Sequence, residues 1–133
     1  MVVDTMVYAY ALLGVTEFRD SASRVFDDHG PICVPDTLWA ELANVFWQWV
    51  RHRDLDPALA LELMTDAEAL TDHITSSTSL WRPALELALQ HNHPVYDTLF
   101  IALAQREGTR VVTFDRKLLE RFPDWTVAPN EIR

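Results

Sequence analysis

Cysteine is nearly absent: Cys33 is the only one among 133 residues. A lone thiol closes no internal disulfide, and a zinc site built on cysteines is excluded. Cys33 lies between Ile32 and Val34, where a free cysteine is expected to be an inert core residue. Long apolar runs are also missing, since none approaches the ~18–20 residues that span a bilayer. The opening Met1-Val2-Val3-Asp4 lacks the basic start and long apolar stretch of a signal peptide. A cytoplasmic protein without membrane contact is expected. Basic charge is scarce, with 11 Lys and Arg against 20 Asp and Glu and a net charge of −9. That balance argues against non-specific nucleic-acid binding through a broad basic face. It leaves room for a small basic patch, a bound cation or a basic protein partner. The sequence shows no repeat, linker or low-complexity segment, and its length suits one domain over residues 1–133. The five histidines, His29, His52, His73, His91 and His93, show no pairing with a serine or cysteine that would suggest a triad. His91 and His93 read as a helix end and a loop.

What the chain does have is short apolar runs alternating with longer helical patterns. Met1-Val2-Val3, Ile32-Cys33-Val34, Arg110 to Phe114 and Trp125-Thr126-Val127 read as strands. Helical patterns cover Thr5 to Leu13, Thr16 to Asp28, a segment capped by Asp36 or Thr37 and running to Arg53, and Pro57 to Leu70. Thr75 to Ser79 is polar and loop-like. Helix resumes from Leu80 to His91, restarts after His93-Pro94 and ends near Gly108, followed by a short helix from Arg116 to Arg121. Apolar β-branched runs separated by helices predict an α/β fold, a parallel sheet covered by helices.

In such a sheet, ligands bind beyond the carboxyl ends of the strands. Asp4 directly follows the first run and Asp115 the third. Glu41 falls early in the helix after the second run, and Asp97 in the first turns of the helix starting near Pro94. Each acid alone reads as a helix cap or a partner of the helix dipole. All four at one sheet edge, beside apolar neighbours such as Leu38, Leu42, Tyr96 and Phe100, are expected to form one site. Close, partly buried carboxylates repel and resist ionisation unless a cation joins them. An all-oxygen donor set selects Mg2+ or Mn2+. The chemistry that follows is phosphodiester hydrolysis.

These segments resemble PIN-domain nucleases, in particular the VapC-type toxins of bacterial toxin–antitoxin pairs. The likeness rests on Val2-Val3-Asp4-Thr5, Trp39-Ala40-Glu41-Leu42-Ala43-Asn44-Val45, Tyr96 to Ala104, and Val111 to Leu118, in that order and spacing. The resemblance implies a three-layer α/β/α sandwich with a central parallel sheet of about four to five strands. It implies a Mg2+- or Mn2+-dependent endoribonuclease with Asp4 and Asp97 as metal ligands and Glu41 and Asp115 completing the site. It also implies a supporting place for Thr113, a homodimer, and a cognate antitoxin that holds the protein inactive. Asn44, one helical turn beyond Glu41, can face the same way, and Arg116 and Lys117 are candidates for phosphate contact.

Trp39 and Trp47 fall off the apolar stripe of their helix and suit an interface. The Pro57 to Leu70 helix has apolar surface to spare, as a groove for a partner helix would. A catalytically silent PIN-like module that binds RNA or protein is the competing reading, and four retained acids argue against it. A phosphoacceptor receiver domain would need a lysine on a late loop and an aspartate ending the central strand. The sole lysine is Lys117 and the central run ends in Val34-Pro35-Asp36, which disfavours it.

Overall fold

In the computed structural model, residues 1–28 and 30–132 are described; the histidine at 29 in the reading above lies outside them. Five parallel strands form one sheet in the order β3-β2-β1-β4-β5. They are β1 (Val2–Val3), β2 (Cys33–Pro35), β3 (His73–Thr75), β4 (Val111–Val112) and β5 (Thr126–Val127). The helices are α1 (Thr5–Leu13), α2 (Arg19–Asp28), α3 (Thr37–His52), α4 (Pro57–Leu70), α5 (Trp81–His91), α6 (Val95–Glu107) and α7 (Arg116–Arg121). Together they make a three-layer α/β/α sandwich.

β1 lies at the centre, with Val2 opposite Cys33 on one side and opposite Val111 on the other. The chain leaves β1 toward β2 and later returns to β4 on the opposite flank. The carboxyl ends of β1 and β4 therefore border a topological switch point, where open sheets of this kind bind ligands. Val2, Val3, Val111 and Val112 are fully buried, as strands covered on both faces require. α6 packs across β1, β2 and β4 and against α5. Thr98 through Ala104 are accordingly all buried, giving a helix apolar nearly all round rather than striped. α1 packs with α2, α3 and α4. Gly108 ends α6 in the left-handed conformation at φ 64, its N–H returning to the carbonyls of Ala104 and Gln105.

Four local expectations are corrected. The sequence pattern assigns no strand between Leu70 and Leu80 and puts Thr75 in a loop, but His73–Thr75 adds a parallel edge strand to β2, with Val34 opposite Ile74. His73 and Ile74 are exposed, so no burial pattern marks this strand, and pairing alone creates it. Ser77–Ser79 is a 3-10 turn, and Asp36 accepts from the Ser77 N–H at 3.0 Å instead of capping α3. α2 begins at Arg19 because Thr16 to Phe18 are spent in a turn closed by the Val15 carbonyl, which accepts from Phe18 and Arg19. Cys33 is half-buried rather than a core residue, and burial pushes its thiol up, away from reactive thiolate.

Other aromatic and basic residues find structural places. Arg51 lies over Trp47 at 5.4 Å and Arg53 over Trp49 at 5.2 Å, as cation–π pairs. Trp39 is half-buried against the core, whereas Trp47 stays 55% exposed. Between α3 and α4 runs an apolar groove of about 330 Å3, lined by Phe46, Trp47, Val50, Leu61 and Met64 among others.

Candidate active site

A cleft of about 400 Å3 opens at the switch point, and Asp4, Glu41, Asp97 and Asp115 all line it. Asn44 lines it too, with Thr5, Met6, Tyr10, Val45 and Phe114. The carboxylates reach it from β1, α3, α6 and the β4–α7 turn.

Asp4 is the N-cap of α1. Its Oδ1 accepts from the Thr5 N–H at 2.8 Å, and its Oδ2 accepts from the Thr113 hydroxyl at 2.7 Å. The Thr113 side chain is fully buried and its Oγ1 also accepts from the Asp115 N–H at 3.0 Å. One hydroxyl thus ties the end of β1 to the end of β4, across 109 positions of sequence. Asp115 caps α7, its Oδ1 accepting from the N–H groups of Lys117 at 2.9 Å and Leu118 at 3.3 Å. Both acids cap helices, as each alone reads, and both line the same cleft.

Glu41 and Asp97 face the same cleft from helices. Glu41 Oε1 is buried without any hydrogen-bond partner, as is Thr5 Oγ1, which lines the same cleft. A buried acceptor left unpaired costs roughly 1–3 kcal/mol, more when charged. Burial pushes the Glu41 carboxyl up to about 7, and the charges of Asp4 and Asp97 push in the same direction. Burial likewise raises Asp4 to about 6; the hydrogen bonds from Thr113 and Thr5 pull it down, and Asp97 and Asp115 add to the rise. The acids therefore interact as one negatively charged cluster.

Among the described residues, no group of three or more His, Cys, Asp or Glu side chains is arranged to hold an ion as it stands. The four acids share a cleft rather than a single point. Magnesium takes only one or two carboxylates directly and keeps several waters, so a cleft-wide set of oxygens suits it. The unpaired Glu41 oxygen and the mutual repulsion mark where positive charge is wanting. By these measures the donor set fits a hard divalent cation.

The profile of the PIN domain matches residues 1–124. The chain belongs to the PIN-domain family. It is 32% identical over 127 residues to Ribonuclease VapC3 of Pyrobaculum aerophilum, covering 92% of this chain and 95% of that protein. A solved toxin–antitoxin complex from Klebsiella pneumoniae contains a chain that superposes with a TM-score of 0.71 over 98% of both chains, at 16% identity. At that identity the likeness speaks for the PIN fold alone.

In this PIN domain, Arg116 and Lys117 are exposed at the start of α7. Arg116 borders a neighbouring cleft with Tyr10, Phe18 and Phe114 rather than the acid cleft. One residue of the site escaped sequence reasoning. His93, expected in a loop, is buried, and its Nε2 lies 2.8 Å from Asp97 Oδ2. The spacing of four residues between them was the available signal. Pro94, between the two, separates His93 from the helix and hid it.

Proposed function

We propose that this chain is a Mg2+- or Mn2+-dependent endoribonuclease and the toxin of a toxin–antitoxin pair. The observation that carries the reading is the four-acid cleft with its unpaired buried Glu41 oxygen. Asp4 and Asp97 are the proposed direct ligands, with Glu41 and Asp115 completing the set directly or through water. When bound, the cation supplies an activated water and stabilises the charge on the leaving oxygen of an RNA phosphodiester. The chain's own work is placement. Thr113 fixes the Asp4 carboxylate and braces the turn that carries Asp115. Asn44 offers an amide to the cleft wall, and Arg116 and Lys117 are proposed to guide the substrate backbone.

The 32% identity to a VapC ribonuclease over nearly the full length supports RNA as the substrate. The toxin role is supported by that VapC relative. The antitoxin is proposed to lay an apolar helix into the groove between α3 and α4, where Trp47 and Leu61 are open. Its basic segments would be drawn to the net charge of −9. Cytoplasmic action as a homodimer belongs to the same proposal. Among the described residues, no helix is long and apolar enough to cross a membrane.

The test is incubation of purified protein with a panel of structured RNAs and Mg2+ or Mn2+. Cleavage is expected, and Asp4→Asn and Asp97→Asn are expected to abolish it with the fold intact. Unchanged cleavage in both variants would sink the site assignment. RNA bound tightly but never cut by metal-replete protein would favour the silent module. Expression without an antitoxin is expected to arrest growth.

A further inference from the structure

His93 sits at a junction that the proposed chemistry does not yet use. α5 ends at Asn92, whose left-handed backbone (φ 52) turns the chain. Residues other than glycine adopt that conformation seldom, asparagine more readily than most. The turn carries His93 inward, where its side chain is only 2% exposed. Phe122 meets the imidazole edge-on, with ring centroids 5.8 Å apart. One ring nitrogen, Nε2, lies 2.8 Å from Asp97 Oδ2, and the other, Nδ1, lies 3.1 Å from an Arg121 guanidinium nitrogen. The same Arg121 nitrogen donates to the Asn92 carbonyl at 2.7 Å.

This geometry determines the tautomer. A guanidinium has donors only, so Nδ1 accepts from Arg121 and the ring's proton is on Nε2. His93 therefore donates from Nε2 to Asp97 Oδ2. The bond fixes Oδ2 of Asp97 from behind the cleft that its carboxylate lines.

We infer that His93 is a positioning residue for the Asp97 carboxylate, with its tautomer set by Arg121 from the far end of α7. The inference rests on the proposed metal-nuclease reading and goes beyond its acid quartet. It assigns α7 two functions: Asp115 caps its start beside the cleft, and Arg121 in its last turn orients His93. A hydrogen-bond partner behind a ligating carboxylate typically contributes 10–100-fold in metal affinity.

The test uses the full chain without RNA. Mn2+ affinity is measured by calorimetry for wild type, His93→Ala, His93→Gln and Arg121→Met, with thermal melting to confirm folding. His93→Ala is expected to bind Mn2+ about 10–100-fold more weakly. His93→Gln, whose amide can donate where Nε2–H does, is expected to recover most of that loss. Arg121→Met is expected to weaken binding by a smaller factor. Long-range 1H–15N spectra of wild type are expected to show His93 protonated at Nε2 and unprotonated at Nδ1, and Arg121→Met to mix the tautomers. Equal affinity in wild type and folded His93→Ala would overturn the inference and leave the nuclease reading standing. So would a glutamine variant as weak as the alanine one, or a proton found on Nδ1. Wild-type protein that binds no Mn2+ would overturn both, while cleavage without any metal would overturn the metal reading first.

Discussion

The two walls of the acid cleft are built on different terms. On the sheet wall, each acid caps the helix that follows its strand, and Asp4 is also held from the end of β4. Asp4 takes hydrogen bonds from Thr5 and Thr113, and Asp115 takes two from the first turn of α7. On the helix wall, Glu41 has an oxygen with no partner, and Asp97 is held by a histidine that is itself held from another helix. Both acids of the sheet wall are hydrogen-bonded without a ligand. The helix wall is left short of positive charge. Hydrogen-bonded and unpaired carboxylate oxygens thus line opposite sides of one cleft, which a cation bound as proposed would join.

The comparison breaks most severely at Glu41. Glu41→Gln removes the charge that the cleft leaves unpaired, and cleavage is expected to fall at least about a hundredfold, the order of ~3 kcal/mol of charge stabilisation. The same variant should fold at least as well as wild type without metal. A folded Glu41→Gln with wild-type cleavage would show that the helix wall's demand is not for the reaction.

Thr113→Val attacks the sheet wall. It strands Asp4 Oδ2 and the Asp115 N–H, at a cost of about 1–3 kcal/mol for a buried group left unpaired. Urea unfolding should register that loss, along with reduced metal affinity. If stability is unmoved, the link between the ends of β1 and β4 is not structural.

The raised acids predict a pH dependence for metal-free protein. Folding lifts Asp4 from 3.8 to about 6 and Glu41 from 4.5 to about 7. Between those values the folded state holds more protons than the unfolded one, so stability falls as pH rises from about 4 to 7. Below that window the penalty is absent, and above it the penalty is complete. Urea midpoints in chelator should decline across it, and Mg2+ or Mn2+ should restore them at the upper end. A midpoint that climbs through the window would contradict the burial of these two groups.

The smallest effect on stability is expected at Asp115. Asparagine caps helices about as well as aspartate, so Asp115→Asn should leave the melting temperature within about 1–2 °C while cleavage drops. Asp115→Ala should lose both, with roughly 1 kcal/mol of stability going with the cap. Equal stability in the two variants would remove the capping role.

Much of the fold was legible because its signals are local. β1, β2, β4 and β5 are apolar runs, and α3 and α6 begin and end where aspartate, proline and glycine punctuate the sequence. β3 was not legible, because His73 and Ile74 face outward and their strand exists only by pairing with β2. The start of α2 was misplaced because the Val15 carbonyl closes a turn that periodicity does not register. Asp4 and Asp115 were readable from their places after strand-like runs, and Thr113 from the family resemblance. The bonds that join these three were not.

The identity and order of the acids belong to the sequence alone, since each occupies a position that local pattern puts at a strand end or in an early helical turn. Which of them would be satisfied and which left wanting was decided only by the tertiary structure. Hydrogen bonds between distant segments, such as Thr113 to Asp4 or Arg121 to His93, depend on how the elements pack, and local pattern carries no record of it. The same holds for the unpaired oxygen of Glu41, because desolvation belongs to the walls around a group and not to its place in the chain.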